Sequence, residues 1–168
     1  MELITSSLQW CKGEIFEGRL YLLFGICVCI LAFLYWKSGS TIFAKAMFLP
    51  FLLVGLIASG TGLGLIFTNE KRIADYQQAF DASPREFVVN EKVRAEGFIK
   101  WYPYTMYGMS ALILAGIALF LFLPTATGRA SGLAIILLGF SILFLDHFSE
   151  ERAHRYHEKI IEVIGELT

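Results

Sequence analysis

The chain has 168 residues, of which 56% are hydrophobic and 17% are charged, and its formal net charge at pH 7 is −1. Soluble domains typically carry about 25% charged and roughly 45–50% apolar residues. The apolar excess is concentrated in four long stretches that are almost free of charge. This composition excludes a disordered chain, a disulfide scaffold and a nucleic-acid-binding module, and the small net charge attracts no class of charged partner.

The four stretches have the length of membrane spans. A helix that crosses a hydrocarbon core about 30 Å thick needs ~20 mostly apolar residues. Three stretches meet this requirement, and the fourth meets it when its interfacial residues are included; the spans are residues 20–36, 46–67, 105–123 and 130–148. No stretch has the continuous polar stripe of a buried helix in a soluble protein. The sequence therefore predicts an all-α, integral membrane four-helix bundle that forms one polytopic domain.

The distribution of basic residues predicts the orientation of this bundle. Four spans place both termini and the long connection 68–104 on one side of the membrane. That side receives eleven of the 14 Lys and Arg residues, and the opposite side receives three. Because short cytoplasmic loops carry an excess of Lys and Arg, we expect a multi-pass protein of the cell (inner) membrane with both termini in the cytoplasm.

The connection between the second and third spans contains helix signals. Ser83 is a good N-cap, Pro84 suits the first helical position, and Glu86 completes a capping box. Pro103 predicts a helix end just before the third span, because the residue that precedes a proline disfavours helical geometry.

The fourth span has no stop signal at its cytoplasmic end. One helix should run from about residue 131 to residue 164 and project beyond the hydrocarbon, where Ile160, Ile161 and Ile164 form an apolar patch that needs a partner. We therefore predict a small helical cytoplasmic cap, made from the 68–104 connection and the extended fourth helix. The predicted cytoplasmic helices are residues 2–18, 69–81, 84–101 and 149–165.

Small residues are concentrated in the second span. Gly55 and Ser59, and likewise Gly60 and Gly64, are four residues apart, a spacing that allows two helix backbones to approach closely in a membrane. These four residues are candidate interaction residues. They pack either inside the bundle, or against another chain or a lipid tail.

All three histidines of the chain lie in the last helix, among acidic residues. Asp146, Glu150, His154 and His157 follow the spacing of one helix face, which makes them candidate ligands for a single zinc ion. A helical di-metal site needs a second Glu-x-x-His motif, and the chain has no further histidine to supply one. The alternative interpretation is a solvated helix with surface charge pairs.

The sequence contains no nucleophile elbow, P-loop, dinucleotide fingerprint or His-Glu-x-x-His motif, so we expect a non-enzymatic protein without a cofactor. The leading hypothesis is an interaction or accessory protein, in build like an immunity protein that neutralises a membrane-acting toxin. Its partners would be the bilayer and either another protein or a second copy of itself. The alternatives are a metal- or lipid-binding protein or enzyme with a site around His154 and His157, and an oligomeric channel or small transporter.

Overall fold

The computed structural model describes residues 2–166, with side chains for residues 3–165. Within that range the chain is entirely helical apart from short turns and contains no strand. Four helices are long and one is a single short turn. They are α1 (Glu2–Ser38), α2 (Ile42–Ala46), α3 (Phe48–Ala82), α4 (Pro84–Phe122) and α5 (Ala126–Glu166).

The long helices are apolar enough to cross a membrane. Each contains an 18-residue stretch with a mean hydropathy between 1.9 and 2.1, and between 11% and 28% of that stretch is buried within the protein. Most of these side chains therefore face outward, which is the pattern of helices surrounded by lipid rather than by protein. The prediction of an all-α fold with four long helices, each apolar enough to cross a membrane, is confirmed.

Local signals fix the helix starts. The backbone N–H of Glu86 donates to the Ser83 hydroxyl at 3.4 Å, and Pro84 occupies the first turn of α4, as the sequence predicts. Thr41 caps α2 in the same way, since its hydroxyl accepts from the N–H of Ala44 at 3.1 Å. Pro50 is the third residue of α3, where a missing N–H costs no intrahelical bond.

One boundary differs from the sequence prediction. Pro103 lies inside α4, which runs through it without interruption. A proline in a helix removes only one backbone hydrogen bond, and helices in membranes tolerate it where neighbouring groups support the chain. Here Tyr102 is buried against the other helices, and the Thr105 hydroxyl donates to the Trp101 carbonyl at 3.2 Å. Tertiary packing thus overrides the local signal.

The long helices form two antiparallel pairs, and α1 packs mainly against α3. Two glycines on each helix, seven residues apart, bring the backbones together. A Cβ atom on Gly62 would lie 2.6 Å from the Gly18 carbonyl oxygen, and one on Gly25 would lie 2.7 Å from the Gly55 carbonyl oxygen. Both distances are too short for a side chain, so these contacts require glycine.

The second pair, α4 and α5, is also packed closely through glycines. A Cβ atom on Gly132 would lie 2.6 Å from the Gly116 carbonyl oxygen, and one on Gly139 would lie 2.6 Å from Cγ1 of Ile113. Each pair is thus closely packed within itself, whereas α1 and α5, which belong to different pairs, touch over a smaller area.

A hydrophobic core lies at the end of the bundle that carries both chain termini. We call this end the cap, which comprises residues 2–18, 69–82, 84–102 and 149–166. Side chains from all four long helices meet there, including Ile160 of the patch predicted to need a partner. Members of the cap core are Leu3, Trp10, Cys11, Tyr76, Phe87, Val88, Ala95, Tyr102, Ala153, Tyr156 and Ile160.

A second core lies at the opposite end, near the turns that join α1 to α3 and α4 to α5. Small and aromatic side chains of α1, the start of α3 and the start of α5 meet there. Members of this distal core are Val28, Ala32, Met47, Phe51, Val54, Ala130 and Ala134. The two helix pairs are therefore held together at both ends.

The glycine contacts predict a position-specific effect on stability. Gly62→Ala should destabilise the protein by about 1–3 kcal/mol, because the new methyl group meets backbone atoms that cannot move aside. Gly64→Ala, on the same helix, should change stability by less than about 0.5 kcal/mol, because no atom lies within 4 Å of its Cβ position. Thermal unfolding in detergent measures both, and equal effects would contradict the proposed packing.

Candidate functional site

A groove runs between α1 and α5 along the part of the bundle that the apolar stretches form. Its volume is about 940 Å³. It begins beside the distal core, at Phe24 and Leu137, and ends at Arg152 in the cap. We call it the lateral groove. Most of its lining is apolar, from Phe16, Leu20, Phe140, Leu143, Phe144, Leu145 and Phe148.

The few hydroxyl groups in the lateral groove are hydrogen-bonded within the protein. The Tyr21 hydroxyl lies 2.9 Å from Oγ of Ser141, and Ser141 also donates to the Leu138 carbonyl at 2.8 Å. These bonds hold α1 to α5 across the floor of the groove. Apart from these hydroxyls, the imidazole of His147 and the pair of Glu17 and Arg152 at the cap end, the lining of the groove is apolar.

Arg152 closes the lateral groove at its cap end. Its Nη2 donates to Oε1 of Glu14 at 2.7 Å, and its Nη1 donates to Oε1 of Glu17. Ser149 donates to the same Glu14 oxygen at 2.9 Å, and the Tyr102 hydroxyl lies 3.0 Å from Ser149. This cluster links α1, α4 and α5 through one guanidinium and two carboxylates.

Gly13 allows Arg152 to reach α1. A Cβ atom at position 13 would lie 2.8 Å from Nε of Arg152, so the guanidinium crosses directly over the α1 backbone. Burial alone would lower the pKa of Arg152, but its hydrogen bonds to Glu17 and Glu14, together with their charges, raise it above its ordinary value. The side chain therefore carries a permanent positive charge at the mouth of the groove.

A second, smaller groove continues on the cap side of Arg152. It also lies between α1 and α5, and its volume is about 270 Å³. We call it the cap groove. Arg152 borders both grooves, so together they form one path that leads from apolar to basic surroundings. The cap groove is lined by Ser6, Gln9, Trp10, Arg152, Arg155, Tyr156 and Lys159.

A buried carboxylate organises the cap core beneath the cap groove. Glu91 accepts hydrogen bonds from the hydroxyls of Tyr76 at 3.0 Å and Tyr156 at 2.7 Å. Arg94 donates to Oε1 through Nε at 3.0 Å and to Oε2 through Nη2 at 2.5 Å. Tyr156 also lies 2.6 Å from the Ser7 hydroxyl. We call these five residues the Glu91 network.

Aromatic rings surround the charged part of this network. The Arg94 guanidinium lies 4.1 Å from the Trp10 ring centroid, and Trp10 stacks on Tyr156 with centroids 4.9 Å apart, which adds a cation–π contribution. Burial raises the pKa of the Tyr76 and Tyr156 hydroxyls, so both stay protonated and donate. Burial also raises the pKa of the Cys11 thiol, which makes it unreactive.

Five buried polar atoms have no hydrogen-bond partner in the described part of the chain. They belong to Trp10 (Nε1), Glu17 (Oε2), Arg94 (Nη1), Asp146 (Oδ2) and Arg152 (Nε). Two of these atoms, Nε1 of Trp10 and Nε of Arg152, are donors on residues that line the cap groove. A buried donor without an acceptor is destabilising, and Nε of Arg152 is covered by α1 at Gly13.

The candidate metal ligands lie along α5 but do not meet. His154 lies 3.9 Å from Glu150, with both side chains largely exposed, whereas His157 lies 3.4 Å from Glu96 of α4. Asp146 is eleven residues from His157, which is about 16 Å along a helix. Among the described residues, no three His, Cys, Asp or Glu side chains are grouped to hold a metal ion. The zinc site stays a prediction, and no group of ligands supports it.

The four candidate interaction residues of the second span face two directions. Gly55 and Ser59 face α1, where they lie against Gly25. Gly60 and Gly64 face outward, and no atom of the described chain lies within 4 Å of either Cβ position. The first pair thus belongs to the packing between α1 and α3, and the second pair leaves α3 accessible to another helix.

The sequence analysis missed the charged residues that build the site. These residues lie in polar helical segments that carry no recognisable motif, and their partners are 3 to 138 residues away in the chain. They are Glu14, Glu17, Glu91, Arg94 and Arg152. One signal was available. Glu14 and Glu17 are three residues apart on α1 and flank Ile15 and Phe16, which places two carboxylates on one face of a helix that is about to enter the membrane.

Comparison with known proteins adds no family to this description. No protein-family model, no curated protein and no solved structure matches the chain. The functional argument therefore depends on the two grooves and on the charges that border them.

The Glu91 network predicts a large loss of stability when its carboxylate is removed. Glu91→Gln leaves the Arg94 charge buried without a counter-ion, which should cost about 3–5 kcal/mol. The control Glu96→Gln removes a partly exposed carboxylate of the same helix that lies 3.9 Å from Lys92 and 3.4 Å from His157, and it should cost less than about 1 kcal/mol. Thermal unfolding in detergent compares the two. Similar transition temperatures would show that Glu91 does not organise the cap.

Proposed function

We propose that the protein is a non-enzymatic, lipid-binding membrane protein that holds an acyl chain of a phospholipid in the lateral groove. The observation that supports this most directly is the position of the groove. It lies between the apolar stretches of two membrane-type helices, and it is bounded by packed cores at both ends. Its volume is within the range of about 300–1,000 Å³ that is typical of ligand sites.

The chemistry of the walls favours an acyl chain over a polar solute. The groove is lined mainly by Phe and Leu side chains, and its Tyr21 and Ser141 hydroxyls already hydrogen-bond to each other. A polar solute would find few partners there, whereas an acyl chain needs none.

The orientation that we propose places the cap in the cytoplasm. Eleven of the 14 Lys and Arg residues lie on the cap side of the apolar stretches, and this bias is the usual sign of the cytoplasmic side. The charged mouth of the lateral groove at Arg152 would then lie at the inner surface of a cell membrane. The lipid held in the groove would come from the cytoplasmic leaflet.

The lipid-binding function predicts that filling the lateral groove displaces lipid. In Leu20→Trp, the larger ring should occupy the groove and reduce the phospholipid that co-purifies with the protein by about fivefold, the factor that roughly 1 kcal/mol produces. Mass spectrometry of lipid extracted from the purified protein measures this quantity. The matched control is Leu23→Trp, because Leu23 is on the same helix outside the groove and is 58% exposed, compared with 51% for Leu20. Equal lipid content in both variants would rule out the groove as the binding site.

A second candidate function is association with another copy of the chain inside the membrane, as expected of an accessory protein. Gly60 and Gly64 support it, because they leave the outer face of α3 open to a closely approaching helix. The neighbouring Leu56, Ile57 and Leu63 are exposed on the same helix and would surround such a contact.

If copies of the chain associate through this face of α3, larger side chains at Gly60 and Gly64 should weaken the association. The double variant Gly60→Leu/Gly64→Leu should reduce the co-purification of two differently tagged copies by about tenfold, a factor that 1.4 kcal/mol of lost packing produces. Gly108→Leu is the control, because its Cβ position on α4 is also open. If tagged copies of the wild type do not co-purify at all, this function is excluded.

A further inference from the structure

We propose that the cap groove binds the phosphate of an anionic phospholipid headgroup whose acyl chain lies in the lateral groove. This inference rests on the proposed lipid-binding function and adds the class of headgroup that the protein selects. It concerns a site on the opposite side of Arg152 from the acyl chain.

Two residues that line the cap groove carry buried donors without an acceptor. Trp10 is 5% exposed, and its Nε1–H has no acceptor in the described chain. The Nε–H of Arg152 is likewise buried without a partner. An indole and a guanidinium can only donate, and a phosphate group carries acceptor oxygens alone in its ionised form. The hydrogen-bonding capacity of this groove is thus complementary to phosphate.

The charge of the cap groove has the matching sign. Glu14 and Glu17 more than offset the charge of Arg152, because two carboxylates pair with one guanidinium, so any attraction for an anion must come from Arg155 and Lys159. Arg155 pairs with Glu151 at 3.5 Å, but both side chains are more than half exposed, and such surface pairs are weak. A phosphate can therefore recruit the Arg155 guanidinium.

The order of the chemical groups along the path matches the order in a phospholipid. Moving from the distal core toward the cap, the path passes the apolar wall, then Arg152, then Arg155 and Lys159. Arg152 and Lys159 are seven residues apart, about 10 Å along α5. The headgroup region of a leaflet has a comparable thickness of roughly 5–8 Å. A free phosphate ion could accept hydrogen bonds from the same donors, but it would make no contact with the apolar groove that continues from them.

The test uses the full-length protein in vesicles of equal parts phosphatidylglycerol and phosphatidylcholine with identical acyl chains. The protein is extracted in mild detergent, and the bound lipid is identified by mass spectrometry. We expect the wild type to be enriched in phosphatidylglycerol relative to the vesicle. In Arg155→Gln/Lys159→Gln this enrichment should fall by about fivefold for each charge removed, while the total lipid per protein stays the same.

The matched control is Lys71→Gln/Lys100→Gln, which removes two exposed positive charges of the cap outside both grooves. It should retain the enrichment. Trp10→Phe is a second variant, because it keeps an aromatic ring on Tyr156 but removes the indole N–H, and it should lower the enrichment without changing the basic residues.

The outcomes separate this inference from the proposed function. If Leu20→Trp does not reduce total bound lipid, the proposed function fails. If Leu20→Trp reduces it but the wild type shows no enrichment, or if both double variants lose enrichment equally, only the headgroup inference fails. A further measurement adds inorganic phosphate to the wild type and to Leu20→Trp. If phosphate raises the melting temperature of both proteins equally, the cap groove binds free phosphate, and the inference that it binds a lipid headgroup is wrong.

Discussion

The length of the helices relative to the bilayer is the constraint on which the rest of the structure depends. Helices of 35 to 41 residues extend about 50–60 Å, whereas the hydrocarbon core is about 30 Å thick. The turns at the distal end are short, so all four helices project their excess length on the same side. The projecting segments carry most of the charged residues of the chain, and they pack around a core of their own. The cap core is the consequence.

That core is built from aromatic rings whose polar atoms must be satisfied away from water. Trp10, Tyr76 and Tyr156 are among its members, and the two tyrosine hydroxyls converge on the Glu91 carboxylate. A lone buried carboxylate would be costly, and Arg94 supplies its counter-charge from the next turn of the same helix. One charged pair on α4 thereby specifies how α1, α3 and α5 are arranged around it.

The sequence predicted what depends on local signals. The four apolar stretches and the Ser83 cap of α4 depend on composition and on contacts three or four residues away, and both are observed. Pro103 was misjudged because the burial of Tyr102 outweighs one missing backbone bond. The links from Glu91 to Tyr156 and from Arg152 to Glu14 join residues 65 and 138 positions apart. Helical periodicity predicts which face of its own helix each residue occupies, but it does not predict which faces of different helices pack together.

The two cores also explain why the lateral groove stays open. They hold α1 and α5 together at both ends, while bulky rings such as Phe140 and Phe144 line the groove between them. In water an apolar groove of this size would tend to close, but lipid tails are as apolar as the Leu and Phe side chains that line it, so no hydrophobic force closes it. For the same reason apolar contact alone does not distinguish one lipid from another. Any selectivity must therefore come from the end of the path where charges and unsatisfied donors lie, beside Arg152.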